Sequence, residues 1–226
     1  MPDPLFEFHG SAILFDMDGT LVDSMAHDER QWHRWAARHG LDPAPILKIS
    51  HGRRTDDILR EIAPHLATEE EIARFGEEEL SDREGICAVG GAARLLVTLP
   101  PDSWALVTSA PRALAKLRME CAGLSLPAVV VSADDVQHGK PNPEGLLRAA
   151  SLLRVAPAEC LVMEDTPAGI QAAHAAGMQA VGITTTYSWD QLRAAYCAPD
   201  FTGMRLVHDD GTLHLTIEPG PRPLTA

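Results

Sequence analysis

Residues 13–21, with the sequence ILFDMDGTL, decide the fold of this chain. The apolar residues 13–15 are typical of a short buried strand, and Gly19 and Thr20 end it in a turn. We expect the strand to place Asp16 and Asp18 at the carboxyl edge of a sheet, where open α/β folds bind ligands. Residues two apart on a strand share a face, so both carboxylates can reach one reacting centre.

The two aspartates repel each other, and a bound cation or a shared proton relieves that repulsion. The pair therefore indicates a hard divalent metal, two acids with separated pKa values, or both. An EF-hand calcium loop is excluded, because it needs Gly at position six and Glu at position twelve. Counting from Asp16, those positions hold Leu21 and His27. An ordinary turn explains the pair equally well when the pair is taken alone.

Three further segments carry polar residues where a strand ends or a helix begins. Residues 104–109 (WALVTS) and 161–166 (LVMEDT) are apolar strands with polar ends, and residues 139–143 (GKPNP) precede a helix predicted from about 144. Their polar residues are Thr108, Ser109, Lys140, Glu164 and Asp165. Each segment alone is explained by a helix cap or a solvated charge. Together with residues 13–21 they make four such segments, and their occurrence in this order is not expected by chance.

Together the four segments resemble the haloacid dehalogenase superfamily of phosphohydrolases, over the chain up to about residue 195. Asp23-Ser24, residues 35–41 and residues 164–169 (EDTPAG) narrow the resemblance to one branch. That branch contains the sugar-phosphate and polyol-phosphate phosphatases and β-phosphoglucomutase.

The resemblance implies a catalytic role for each core motif. Asp16 would be the nucleophile that forms an aspartyl-phosphate, and Asp18 would be the general acid and base. Thr108 would hydrogen-bond the phosphoryl group, with Ser109 beside it as a substrate-binding candidate. Lys140 would neutralise the phosphoryl charge.

The resemblance also implies a magnesium site. Its ligands would be Asp16, the backbone carbonyl of Asp18, and Asp165 with Glu164 beside it. A phosphate monoester dianion repels an anionic nucleophile, so the attack of a carboxylate requires that charge be neutralised first. We therefore expect Mg²⁺ as the cofactor.

The alternation of strand and helix patterns predicts an α/β fold, a three-layer Rossmann-like core with a mostly parallel sheet. Core strands are expected near residues 11–16, 103–108, 127–131, 160–164 and 179–183. After residue 199, residues 205–208 and 212–217 flank an Asp-Gly turn and predict a β-hairpin. The tail at 219–226 is expected to be frayed.

Between residues 24 and 89 no strand-type run occurs. Helical segments are expected there near 24–39, 55–63 and 69–79, and a helix near 91–98 belongs to the core again. The resemblance implies that this insert is a helical cap that closes over the site. We therefore expect a core domain of residues 1–23 and 90–226 and a cap domain of residues 24–89.

Substrate selection is expected in the insert, because the phosphate machinery is generic. Arg53 and Arg54 lie in a Gly-containing loop before a helix, and guanidinium groups suit bidentate contacts to phosphate or polyol oxygens. The alternative is that both are solvated or pair with nearby acids, which are Asp56, Asp57 and Glu61. Asp28 and His27, on the first helix of the insert, are further candidates to face the pocket, although a surface role is the favoured interpretation for each.

Composition limits the class of protein. The 226 residues carry a formal net charge of −13, which argues against nucleic acid and anionic membrane as partners. The first seven residues lack the pattern of a signal peptide, and no apolar run is long enough to span a membrane. The four cysteines are too far apart for a zinc site or a small disulfide scaffold. We expect reduced thiols, a cytoplasmic location, and a monomer or weak dimer.

The favoured hypothesis is a phosphatase that acts on a small phosphorylated sugar or polyol. A β-phosphoglucomutase-like mutase is the alternative, but those mutases carry a His where this chain has Asp28. A dehalogenase would lack the second acid, which is present as Asp18. A non-catalytic relative would be expected to have lost Asp16, Asp18, Lys140 or Asp165, and all four are present.

Overall fold

The computed structural model describes residues 5–218, and a six-stranded parallel sheet lies at its centre. The strands of the chain are β1 (Phe6–Gly10), β2 (Ala12–Phe15), β3 (Val22–Asp23), β4 (Cys87–Ala88), β5 (Trp104–Val107), β6 (Val129–Val131), β7 (Cys160–Glu164), β8 (Gln179–Ile183), β9 (Tyr196–Ala198), β10 (Met204–Asp209) and β11 (Thr212–Ile217). The central sheet has the order β6-β5-β2-β7-β8-β9. The five core strands expected from the sequence are therefore confirmed, and β9 is a sixth that the sequence analysis missed.

Helices cover both faces of the sheet, which confirms the three-layer α/β core. The helices are α1 (Met25–His39), α2 (Ala44–Ser50), α3 (Thr55–Ile62), α4 (Glu69–Ser81), α5 (Ala92–Leu96), α6 (Arg112–Cys121), α7 (Glu144–Leu153), α8 (Pro167–Ala175) and α9 (Trp189–Leu192). Along β2, Ile13 and Phe15 pack into the core that contains α5 and α6, whereas Leu14 faces α7 and α8. This alternation is the two-residue period of a strand buried on both faces.

The predicted hairpin is present as β10 and β11, whose turn contains Asp210 and Gly211, both with positive φ. A third strand, β1, pairs antiparallel with β11 and was not expected from the sequence. The expected frayed tail at 219–226 lies outside the described residues.

Helices α1 to α4 form the segment between residues 24 and 89 and have an apolar cluster of their own. Trp32, Trp35, Ile58 and Phe75 lie at its centre. Two details differ from the sequence analysis. Helix α2 was not expected, and β4 pairs antiparallel with β3, so a short strand does occur before residue 89. In the part of the chain that the structure describes, no helix has the length and apolar character needed to cross a membrane.

Candidate active site

The carboxyl ends of three neighbouring strands meet at one edge of the sheet. Strand β2 lies between β5 and β7, so Asp16, Thr108 and Asp165, which follow these strands, lie at one edge. The backbone N–H of Asp16 donates to the carbonyl of Met163 at 3.0 Å, which extends the pairing of β2 with β7 by one residue. Parallel pairing therefore brings together residues that are about 150 positions apart in the chain.

A tight turn after β2 brings Gly19 against Asp165, which follows β7. Gly19 has φ of +81°, and a Cβ atom there would lie 2.0 Å from Oδ2 of Asp165. Only glycine fits this close approach at this backbone conformation without strain. The turn is closed by backbone N–H groups of Leu21 and Val22, which both donate to the carbonyl of Met17 at 2.9 Å.

Three buried carboxylates cluster at this edge. Oxygen atoms of Asp16, Glu164 and Asp165 all lie within 4.8 Å of one another. Burial, with the charge of Glu164, raises the pKa of Asp16 well above its usual range, although Lys140 acts to lower it. Burial and the charges of Glu164 and Asp16 likewise raise the pKa of Asp165.

Lys140 is the cation of this cluster. Its Nζ donates to Oδ1 of Asp16 and to Oε2 of Glu164, the latter at 2.8 Å. Burial would lower its pKa, but the charges of Asp16 and Glu164 hold that pKa above its usual value. The cluster contains three buried carboxylates and one ammonium group, so in its fully ionised form it carries two uncompensated negative charges.

The donor set fits a hard divalent cation. Such ions prefer several carboxylate and carbonyl oxygens, and the cluster offers carboxylate oxygens from two strand ends. Glu164 differs from the two aspartates, because its Oε1 already accepts from the N–H groups of Asp165 and Thr166 and from the Thr166 hydroxyl, at 2.7–3.1 Å. Its Oε2 is bound by Lys140, so Glu164 is better suited to holding Lys140 and the β7 turn than to ligating the ion.

Asp18 faces a second cluster, on the other side of Asp16. Its Oδ1 accepts from the Ser24 hydroxyl at 2.7 Å and lies 2.7 Å from Nη1 of Arg118. Burial raises the pKa of Asp18, although Arg118 acts to lower it. Nη2 of Arg118 contacts Asp28 of α1 and lies 3.4 Å from Glu79 of α4.

The second cluster changes the interpretation of Asp28. Its carboxylate is an ion-pair partner of Arg118, with His27 at 3.2 Å, so its polar contacts are with protein groups. Although burial would raise it, the charges of Arg118 and His27 hold the pKa of Asp28 below its usual range. His27 is fully buried, so the surface role favoured for it in the sequence analysis is wrong.

The sequence analysis missed Arg118 and Glu79. Arg118 occupies an apolar position of α6, in the i, i+3, i+4, i+7 pattern formed with Leu114, Leu117 and Cys121. A cation within such a stripe indicates a buried partner, and this was the available signal. Glu79 belongs to an acidic run, residues 77–79, that is typical of a solvated helix face, whereas its side chain is buried.

A polar cavity of about 490 Å³ lies between the sheet edge and helices α1 to α4. On the side of the sheet it is lined by Asp16, Asp18, Thr108, Ser109 and Arg118. On the opposite side it is lined by Asp28, Trp32, Ser50, Arg53, Thr55 and Glu79. Both expected acids and the expected threonine therefore face one enclosed space.

The two arginines of the insert differ in their surroundings. Arg53 lines the cavity and makes one ion pair, with the exposed Glu61 at 2.6 Å. Arg54 binds Asp57 with two nitrogen atoms, at 2.7 and 3.0 Å, and lines a neighbouring depression with Lys140. Pairing with nearby acids, the alternative considered for both residues, is thus observed, and Arg53 is the arginine directed at the Asp16 cavity.

Thr108 and Ser109 make different contacts at the end of β5. The Thr108 hydroxyl accepts from the N–H of Ala110 at 3.0 Å. The Ser109 hydroxyl donates to the carbonyl of Gly52 at 2.8 Å, which joins the sheet edge to the loop that carries Arg53. Ser109 therefore links the two sides of the cavity.

Comparison with known proteins identifies relatives of the chain. A family model of the haloacid dehalogenase-like hydrolases matches residues 11–177. Hexitol phosphatase A of Escherichia coli is 42% identical over 175 residues, 75% of this chain and 81% of that protein. The 2-deoxyglucose-6-phosphate phosphatase 1 of Saccharomyces cerevisiae is 33% identical, covering 90% of this chain and 93% of that protein. Among solved structures, a hydrolase from Pseudomonas syringae has a TM-score of 0.74 at 26% identity, covering 84% of this chain and 94% of that one.

Proposed function

The chain belongs to the haloacid dehalogenase-like hydrolases, and we propose that it is an Mg²⁺-dependent phosphatase that hydrolyses monoesters of a small sugar or polyol. The observation that carries the proposal is the buried Asp16 carboxylate, which Lys140 holds beside Asp165 at the floor of a polar cavity. Asp18 opens onto the same cavity from the other side.

The substrate class is supported by the relatives and by the cavity. Two relatives are named for phosphatase activity on a hexitol phosphate and on 2-deoxyglucose 6-phosphate. The cavity between the sheet edge and the insert is lined mainly by polar side chains. Its walls offer hydroxyl, carboxylate and guanidinium groups, which suit a leaving group rich in hydroxyls.

We assign the first half of the reaction to Asp16, Lys140 and Thr108. Asp16 attacks phosphorus and forms an aspartyl-phosphate, while the ester oxygen leaves. Lys140 and the Thr108 hydroxyl bind the phosphoryl oxygens. A divalent cation, when bound, neutralises phosphoryl charge that Lys140 alone cannot offset.

We assign both proton transfers to Asp18. Its carboxyl group donates a proton to the departing alkoxide and then removes one from the water that hydrolyses the aspartyl-phosphate. Asp18 is suited to this role because its carboxylate contacts Ser24 and Arg118 and is separate from the Asp16 cluster.

For the cofactor, we propose Mg²⁺ bound by Asp16, the Asp18 carbonyl and Asp165, with Glu164 holding Lys140 and the strand end. We also propose that residues 24–89 act as a cap over a core of residues 1–23 and 90–226. In this arrangement Arg53 contacts the leaving group. The mutase alternative has less support, because the relatives described above are phosphatases.

The test is phosphate release from a panel containing hexitol phosphates, glycerol 1-phosphate, 2-deoxyglucose 6-phosphate and glycolytic monoesters. Asp16→Asn and Asp18→Asn should each abolish release with the fold intact. Asp102→Asn is the matched control, since Asp102 is exposed at the opposite end of β5. Release by Asp16→Asn at more than a small fraction of the wild-type rate would refute the covalent mechanism. Conversion of β-glucose 1-phosphate to glucose 6-phosphate without net release would favour the mutase.

A further inference from the structure

Arg118 is buried in a helix whose other charged residues are exposed. It has 3% of its surface accessible, whereas Arg112, Lys116 and Glu120 of the same helix face solvent. A buried guanidinium persists only where carboxylates or other acceptors compensate it. The groups that contact Arg118 therefore indicate its role.

The guanidinium joins Asp18 to the insert. Nη1 lies 2.7 Å from Oδ1 of Asp18, and Nη2 contacts Asp28 and lies 3.4 Å from Glu79. Asp28 and Glu79 belong to α1 and α4 of the insert, whereas Arg118 belongs to α6 of the sheet layer. One side chain thus connects both sides of the cavity.

The two insert acids determine how Arg118 binds Asp18. An arginine next to a single carboxylate usually binds both oxygens through two parallel hydrogen bonds. Here Asp28 and Glu79 occupy Nη2, so only Nη1 is directed at Asp18. Nε is buried and has no hydrogen-bond partner among residues 5–218, so it does not supply the second bond.

The consequence is that one oxygen of Asp18 is held and the other is not. Ser24 and Arg118 both contact Oδ1. Oδ2 makes no hydrogen bond or ion pair with any side chain or backbone group among residues 5–218. A general acid needs one oxygen fixed for orientation and the other directed at the leaving group.

We propose that Arg118 is a positioning residue for proton transfer: it holds Oδ1 of Asp18 so that Oδ2 faces the leaving oxygen, and Asp28 and Glu79 keep this contact to one nitrogen. The inference rests on the proposed phosphatase function. The proposal gives the insert a second role besides substrate selection, because Asp18 is correctly oriented only while α1 and α4 lie over the cavity.

The experiment measures kcat/KM for aryl phosphates whose phenols differ in acidity, from p-nitrophenyl phosphate to phenyl phosphate. A good leaving group departs without a proton, whereas a poor one depends on Asp18. Arg118→Met should therefore lower kcat/KM for phenyl phosphate by about tenfold or more, within the usual contribution of a general acid, and affect p-nitrophenyl phosphate much less. Because these esters lack hydroxyl groups, lost contacts to a polyol cannot produce the difference.

Two controls bracket the result. Asp18→Asn defines the dependence on phenol acidity when no general acid is present. Lys116→Met, an exposed change on the same helix, should keep the wild-type dependence. An equal loss of kcat/KM on every aryl phosphate in Arg118→Met would overturn the proposal and leave Arg118 with a structural or phosphate-binding role.

A second variant covers failure of Arg118→Met to fold. Asp28→Asn weakens the hold on Nη2 and lets Arg118 bind both oxygens of Asp18, so the dependence on phenol acidity should steepen in the same direction. An unchanged dependence in Asp28→Asn would also overturn the proposal. If the wild-type protein releases phosphate neither from the aryl esters nor from the sugar and polyol monoesters, the phosphatase function itself fails, which is a separate outcome.

Discussion

Glu79→Gln is the substitution whose effect on stability depends most directly on the buried charges around Arg118. Burial raises the pKa of Glu79 from 4.5 to about 8, with further raising by Asp28 and Asp18 and opposition from Arg118. Near pH 6 the folded protein therefore carries a neutral Glu79, while the unfolded chain carries an ionised one. The folded state binds more protons in this range, so the free energy of unfolding falls as the pH rises.

The magnitude follows from the size of the pKa shift. A proton bound only by the folded state changes the free energy of unfolding by about 1.4 kcal/mol per pH unit. Glu79 is neutral when folded and ionised when unfolded over most of the range from pH 5 to 8, so its contribution declines by roughly 4 kcal/mol there. The contribution is complete below pH 4.5 and is lost above pH 8. A glutamine has no proton to lose, so the variant lacks this decline.

The assay is urea unfolding of wild type and Glu79→Gln in EDTA at several pH values from 5 to 8.5. The difference in unfolding free energy should shift progressively in favour of the variant as the pH rises. Using the difference cancels the contributions of Asp16 and Asp165, whose pKa values are also raised. Glu77→Gln, an exposed change on the same helix, should give a difference independent of pH. A pH-independent difference for Glu79→Gln as well would refute the reasoning.

EDTA should abolish phosphate release and Mg²⁺ should restore it, while Ca²⁺ should inhibit because its larger coordination shell distorts the in-line geometry; full activity in EDTA would contradict the metal assignment. Lys140→Met and Thr108→Val should lower turnover on every substrate alike. Arg53→Ala should raise KM selectively for the preferred sugar or polyol phosphate, by roughly ten- to a hundredfold for the loss of one charge-assisted hydrogen bond, and spare p-nitrophenyl phosphate. Arg54→Ala is the matched control, and a loss of the same size in it would contradict the distinction drawn between the two arginines.

The core strands could be predicted because each is an apolar run with polar residues at its carboxyl end. The hairpin could be predicted because Asp210 and Gly211 supply the positive φ values that its turn requires. Strand β9 has three residues, which is too short for its period to be recognised. Helix α2 contains Pro45, which reads as a helix breaker in sequence but is tolerated in the first turn of a helix.

In the active site, residues at strand ends could be predicted and the Arg118 cluster could not. Parallel pairing of β2 with β7 brings Asp16 and Asp165 together. Both strands can be recognised from local sequence patterns, so those patterns determine this part of the site. Arg118 meets Asp28 and Glu79 across 90 and 39 positions of sequence, through the packing of insert helices against α6. The way one group of helices packs on another cannot be read from the periodicity of any local stretch of sequence.

The Lys140 cluster and the Arg118 cluster both contain more negative than positive groups, and they compensate the excess negative charge by different means. Each groups three carboxylates with one cation: Asp16, Glu164 and Asp165 with Lys140, which contacts the first two, and Asp18, Asp28 and Glu79 with Arg118. In the second cluster the raised pKa of Glu79 removes one negative charge at neutral pH, without any ion. In the proposed mechanism the first cluster faces the phosphoryl group and Asp16 must be ionised to act as the nucleophile, so protonation of Asp16 would not serve there. A bound divalent cation would offset the remaining two negative charges and leave the nucleophile free. We therefore expect a chain with a formal net charge of −13 to accept a phosphate dianion at this position only with the metal bound, so loss of activity in EDTA should be complete and not partial.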